Sequence, residues 1–289
     1  MNFQSINPIN VRINIISGNL LPLSKDSRFP ITWKMYSVFV WLLEIIHAIV
    51  LIPGIMFVPR EKILKDGTVT CVVTIEVFFM VLRIQARRKL MNQLIQKLND
   101  ILRVADETMK NVVTTTLKPM EDPLKFYLVA GWLAVFVWCC LPFLLIFEKV
   151  AFLYEDYRIP AIFSKQPFSI NVFLVGSVLL LMSNVYIFVK KVGVDVYMIH
   201  LVLLTTAQYR YIATKLAIIF RDGNLQNESD EEYRLKDQWI KKEMQALCRH
   251  HNSVVHLSSM LKRLLSLNFS MIYVNSVLRF CFIGVMLST

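Results

Sequence analysis

Apolar residues along this chain fall into five long blocks, separated by polar segments in which apolar positions recur at helical spacing. The blocks cover residues 35–58, 67–82, 126–147, 168–189 and 264–289. The third and fourth run for 22 residues each without an Asp, Glu, Lys or Arg. About 20 apolar residues in a helix cross a hydrocarbon core. The second block is shorter and interrupted by Glu76. The pattern predicts an all-α membrane protein, a polytopic helical bundle with five spans.

The polar segments add helices that the membrane does not need. In 87–110, Leu90, Leu94, Ile95, Leu98, Ile101, Leu102 and Ala105 form one stripe, with Lys, Asp, Asn and Gln opposite. That is an amphipathic helix, placed on the membrane surface or against other helices. After the fourth block come Lys190 and Lys191, then Val192-Gly193-Val194-Asp195, then a further apolar run over 196–207. Gly193 is the sole turn residue there, so one continuous helix from about residue 168 to about 220 is expected. At 1.5 Å per residue it is about 75–80 Å long and projects well beyond the bilayer. Asp222-Gly223-Asn224 breaks it, and an acidic stretch starts at Glu228. Helical spacing resumes through Ile240, Met244, Leu247, Val254, Leu261 and Leu264 into the last block. The expected organisation is an amino-terminal segment 1–34, four spans within 35–189 with the amphipathic helix at 87–110, helical extensions over 190–263, and a fifth span over 264–289.

Charge sets the orientation. Lys and Arg number 25 in segments 1–34, 83–125 and 190–263 against 6 in segments 59–66 and 148–167. Basic residues are retained in the cytoplasm, so the amino terminus is expected inside and Thr289 outside. No cleavable signal peptide is evident, and a multi-pass protein of the plasma membrane is expected. The mean hydropathy of +0.50 and net charge of +11 fit that reading. Attraction to anionic lipid is the ordinary consequence of such charge, and nucleic-acid binding is not expected. None of Cys71, Cys139, Cys140, Cys248 and Cys281 lies in an expected outer loop, so no disulfide framework is implied. The sequons at Asn227 and Asn268 fall on or near the inner side and should carry no glycan.

Ionisable residues inside spans are costly, which makes Glu44, His47, Glu76 and Arg279 functional candidates by default. Their alternatives are structural: Glu44 and His47, one turn apart, pairing with each other, and Arg279 pairing with Glu76. Catalytic residues are not expected. His250, His251 and His256 stand at intervals of five and six, which do not bring two imidazoles to one helix face, so no metal site is expected. Phosphate-binding Gly-rich loops and Ser-His-Asp sets are missing as well, and no cofactor is implied.

From His251 the sequence reads HNSVVHLSSMLKRLLSLNFSMIYVNSVLRFCFIG, with Ser266, Ser276, Cys281 and Gly284 after the leading His. Together with Gly193-Val194-Asp195, Tyr197 and Gln208, and with the start Ser17-Gly18-Asn19-Leu20-Leu21-Pro22, this order resembles the insect odorant receptors. The resemblance implies an odorant receptor subunit: an odorant-gated, non-selective cation channel working in a hetero-tetramer with the obligatory odorant co-receptor. It also implies seven helices, the seventh lining the pore. This sequence reaches the end of its fifth span at Thr289, so a partial product or a truncated, non-conducting partner subunit is expected. A polytopic transporter that shares only the topology is the other reading.

In that family the pocket for a small volatile odorant lies in the outer half of the membrane, between the second, third, fourth and sixth segments. Such a ligand needs an enclosed, mostly aromatic and aliphatic cavity. Helical spacing then offers Ile75, Phe78 and Phe79 on the second span. On the third it offers Gly131, Ala134 and Trp138, with small residues beside an indole and Pro142 kinking the helix nearby. On the fourth it offers Phe173, Ser177 and Leu181. Aromatic stripes at this spacing are also ordinary packing surface.

Overall fold

The computed structural model describes residues 1–23, 29–223 and 230–288. Two short helices, α1 (Phe3–Ile6) and α2 (Pro8–Ile16), lead to α3 (Ile31–Phe57), the first span. A three-residue turn, α4 (Arg60–Lys62), and a π-helical turn over Ile63–Gly67 precede the second span, α5 (Thr68–Ala86). Two helices off the spans follow, α6 (Arg88–Arg103) and α7 (Glu107–Leu117), and then the third span, α8 (Glu121–Cys140). The long helices α9 (Ile170–Gly223) and α10 (Asp230–Ser288) complete the described chain. Five helices are long and apolar enough to cross a membrane. Among the described residues there is no β-strand beyond a single bridge between Phe152 and Phe168.

The boundaries follow from local chemistry. α9 runs unbroken for 54 residues, since Gly176 and Gly193 are its only interior glycines and it contains no proline. That is about 80 Å at 1.5 Å per residue, and the 59 residues of α10 reach about 88 Å. A hydrocarbon core is about 30 Å thick, so both helices extend far beyond it. α8 gives way at Leu141 to 3₁₀ turns through Phe147, where Pro142 has no N–H for the α-ladder. The stripe read over 87–110 is two helices instead of one. Asp106 accepts a hydrogen bond from Met109 N at 2.8 Å and caps α7, which breaks the helix after Arg103.

The two ends of the bundle are packed differently. On the basic side, which carries the amino terminus, α6 and α7 sit against the extensions of α9 and α10. Met91, Leu94, Ile95, Leu98 and Leu102 are buried there with Val113, Tyr197, Leu204, Leu257 and Leu264. The amphipathic helix therefore spends its stripe on other helices. Phe3 and Leu21 fill the same core from the amino-terminal segment. The opening turn is locked to α9: Tyr197 Oη donates to Pro22 O at 2.6 Å and Asn19 Nδ2 to Lys190 O at 3.2 Å. A Cβ at Gly193 would lie 3.0 Å from both Asn19 Nδ2 and Ser17 Oγ, so only glycine lets the turn approach this closely. Gly18, at φ +68°, makes that turn. The Ser17–Pro22 element and the Gly193–Tyr197 element, far apart in sequence, are one contact.

On the opposite side a loop folds over the bundle. Phe152 and Phe168 exchange backbone hydrogen bonds of 3.1 and 3.0 Å. Phe152 stacks on Phe173 at 4.2 Å between ring centroids, with Tyr157 5.2 Å from the same ring. The loop sits directly on α3, where a Cβ at Gly54 would come within 2.4 Å of Pro160 backbone. In between, the spans leave broad apolar rows uncovered, among them Trp132, Leu133 and Val137 on α8 and Tyr273, Val277 and Phe280 on α10.

Candidate ligand site

Six buried or half-buried charged side chains occupy one layer of the bundle. Lys190 Nζ lies 2.7 Å from Glu44 and 3.6 Å from the Trp41 ring centroid. Lys191 pairs with Glu76 at 2.9 Å and with Asp195 at 2.7 Å. Arg279 donates to Glu76 at 2.7 Å. Tyr127 Oη donates to Asp195 at 3.3 Å. Three anions meet three cations, so the layer is neutral, and it ties α3, α5, α8, α9 and α10 together. Glu44 takes Lys190 as its partner and not His47, whose two ring nitrogens are buried without a partner among the described residues. The pairing of Arg279 with Glu76 is as the sequence suggested. Such pairs are matched charges in a dry place; losing one partner costs about 3–5 kcal/mol.

Toward the loop-covered side the bundle opens into a cavity of about 340 Å³ between α5, α8, α9 and α10. Its walls are Val69, Val73, Val135, Ile187 and Ile283, with Trp138 and Phe188 as aromatic faces. Thr70, Thr74 and Asn184 supply polar atoms inside, and Asp66 sits at its rim. Asp66 is 2.6 Å from Lys62 and 3.4 Å from Arg158. The Arg158 guanidinium lies 5.4 Å from the Trp138 ring centroid, so the indole is held from the loop side. Phe188 is seated against α8 because Gly131 is bare: a Cβ there would fall 2.2 Å from the ring. A largely apolar chamber with a few convergent polar groups is the ordinary form of a small-molecule site. Among the described residues no group of three His, Cys, Asp or Glu side chains gathers to hold a metal ion.

No protein-family model matches the chain, and no curated protein matches it significantly. Solved structures do match it. The insect olfactory receptor OR5 from Machilis hrabei, in complex with eugenol, superposes with a TM-score of 0.72. The match covers 99% of this chain and 71% of that one, at 14% identity. The chain has the insect olfactory-receptor fold. At that identity the likeness is one of architecture.

Within this olfactory-receptor fold the residues singled out by spacing separate into groups. Trp138 lines the cavity. Leu181 packs beside it in a cluster with Leu51, Cys139 and Ile159. Gly131 seats the Phe188 wall, whereas Ala134 faces outward. Phe173 is buried in the aromatic stack under the loop. Ser177 is buried with its hydroxyl unpartnered among the described residues. Phe78 meets Trp41 edge-on at 5.5 Å, Phe79 packs on the basic-side core, and Ile75 is 55% exposed. Spacing did not single out Thr70, Thr74, Asn184 or Asp66. Part of the signal was present: small polar residues at i, i+4 on the second block, and Asn184 inside the apolar helix that the uncharged fourth block opens.

Proposed function

We propose that this chain is an odorant receptor subunit that binds small volatile molecules in the cavity beside Trp138. In this reading it lies in the plasma membrane with the amino terminus inside, as the 25-to-6 division of basic residues favours. It assembles with the odorant co-receptor as a hetero-tetramer, and ligand binding gates a non-selective cation conductance. The observation that carries the reading is the mostly apolar 340 Å³ cavity, walled by Trp138 and Phe188, in a chain of olfactory-receptor architecture. Uncovered apolar rows on α8 and α10 supply surface for lipid and for neighbouring subunits.

The test is co-expression with the co-receptor, with an epitope tag at each end of the chain. The amino-terminal tag should be labelled only after permeabilisation, the two proteins should co-purify, and an odorant panel including eugenol should evoke a current above that of the co-receptor alone. Surface labelling of the amino-terminal tag would refute the orientation. Failure to co-purify would refute the hetero-tetramer, and an odorant response equal to that of the co-receptor alone would refute the receptor role.

A further inference from the structure

The polar side chains of the cavity share one disposition. Thr74 Oγ1 donates to Thr70 O at 2.8 Å, and Thr70 Oγ1 to Asp66 O at 3.5 Å. Asn184 Nδ2 donates to Leu180 O at 2.7 Å, which fixes the amide so that Oδ1 is left without a donor among the described residues. Each of these three side chains has therefore turned a donor back onto its own helix. What the threonines retain toward a guest is oxygen lone pairs, and Asn184 retains Oδ1 beside its second N–H. The one charged residue of the lining, Asp66, is already matched by Lys62 and Arg158.

From this arrangement we infer that the cavity selects neutral ligands bearing a hydrogen-bond donor, alcohols or phenols, over ethers, hydrocarbons and amines of the same skeleton. The inference rests on the reading of this cavity as the ligand site. An alcohol gives its proton to Asn184 Oδ1 or to a threonine oxygen while its carbon skeleton lies against Trp138 and Phe188. An ether of the same shape brings only an acceptor: it leaves Asn184 Oδ1 and the threonine oxygens unpaired and has only the second Asn184 N–H to meet its own lone pairs. A hydrocarbon leaves Asn184 Oδ1 unpaired under a dry guest. An ammonium loses its hydration shell beside a lining whose one carboxylate, Asp66, is already paired.

The test uses the full chain in lipid nanodiscs and four probes: 2-phenylethanol, its methyl ether, ethylbenzene and 2-phenylethylamine. Dissociation constants are measured for the unaltered protein and for Asn184→Leu, Thr74→Val and Trp138→Ala. One good neutral hydrogen bond corresponds to about a tenfold preference. The alcohol should therefore bind about tenfold tighter than the ether and ethylbenzene, with the amine weakest. Thr74→Val should shrink the gap between alcohol and ether while leaving ether affinity in place, Asn184→Leu should shrink it by weakening the alcohol more than the ether, and Trp138→Ala should weaken all the neutral probes together. The four-probe comparison on the unaltered protein and the Thr74→Val variant stand even where Asn184→Leu fails to fold. Equal affinity for alcohol and ether, with both still weakened by Trp138→Ala, overturns the selectivity and leaves the site. Binding indifferent to Trp138→Ala, or no binding of any probe, overturns the site and the selectivity with it.

Discussion

The basic-side bundle and the loop-side half of the spans are built from the same apolar residue types and obey different rules. In the bundle, Met91, Ile95, Leu102 and Val113 are fully buried. Across the spans, Trp132 is 40% exposed, Leu133 49% and Val137 59%. Water surrounds the bundle, so every apolar side chain there gains by burial, about 25 cal/mol per Å² removed from water. Hydrocarbon surrounds the spans, and lipid tails are as apolar as leucine, so no comparable force closes the helices on one another. Specific bonds must hold the spans instead, and here they are the charged layer around Glu76 and Lys190. A region held by a few strong links can keep a hollow open beside them. The bundle has hollows too, about 300 Å³ beside Tyr211 and His250 and about 480 Å³ beside His256, but charged residues such as Asp100, Lys215 and Arg263 line them. The apolar cavity lies in the spans.

The largest effect should come from the charged layer. Among the described residues, Glu76→Gln leaves Lys191 with Asp195 alone and Arg279 with no anion, and should cost about 3–5 kcal/mol. Thermal unfolding of the nanodisc-held chain should show a marked fall in midpoint. Unchanged stability would mean that the spans are held by packing after all. Next come matched truncations in the two regions. Leu98→Ala, in the bundle, should cost about 2–5 kcal/mol through transfer and cavity terms. Val137→Ala, on the uncovered row of α8, should lie within about 0.5 kcal/mol of the parent. Comparable losses at both positions would erase the distinction between the two regions.

Much of this architecture was legible in the residues. The uninterrupted run past Lys190 announced a helix of about the length seen, Ile170–Gly223, because nothing in it could turn the chain. The stripe from Leu90 to Leu102 announced a buried face, although Asp106 as a helix cap was needed to divide it. The break at Asp222-Gly223-Asn224 runs past the end of α9, and Asn224 lies outside the described residues. The cavity was harder to read. A span that is apolar on all sides offers no contrast between inside and outside, so spacing places Ile75, Phe78 and Phe79 near one another without saying which way they face. Ile75 faces outward and Phe78 meets Trp41. Minority residues carry more information in such a helix. Thr70, Thr74 and Asn184 are among the polar residues of the second and fourth blocks and line the cavity, whereas Glu76, Asn171 and Ser177 of the same blocks do not.

A smaller effect concerns pH in the bundle. His250 sits edge-on to Tyr211 at 5.3 Å with its Nε2 buried and unpartnered among the described residues. Burial pulls its imidazole below the usual value, against the opposing influence of the Asp106 carboxylate. Below about pH 6.5 the unfolded chain takes up a proton there that the folded chain resists, so stability falls as pH drops through that value. The unfolding midpoint should therefore decline between pH 7.5 and 5.5, and decline less in His250→Phe. An identical decline in both would remove His250 from the account.

The central claim is that ligand binds in the loop-side cavity and not in the bundle, and the direct measurement is a binding titration on Trp138→Ala beside Leu98→Ala. Removing an indole from the wall forfeits about 1.5–3 kcal/mol of apolar contact. That is a roughly ten- to a hundredfold weaker dissociation constant for 2-phenylethanol or eugenol. Trp138→Ala should show this loss at near-parental thermal stability, and Leu98→Ala should lose stability while its folded fraction binds as the parent does. Parental affinity in Trp138→Ala, or a loss of affinity confined to Leu98→Ala, would contradict the account.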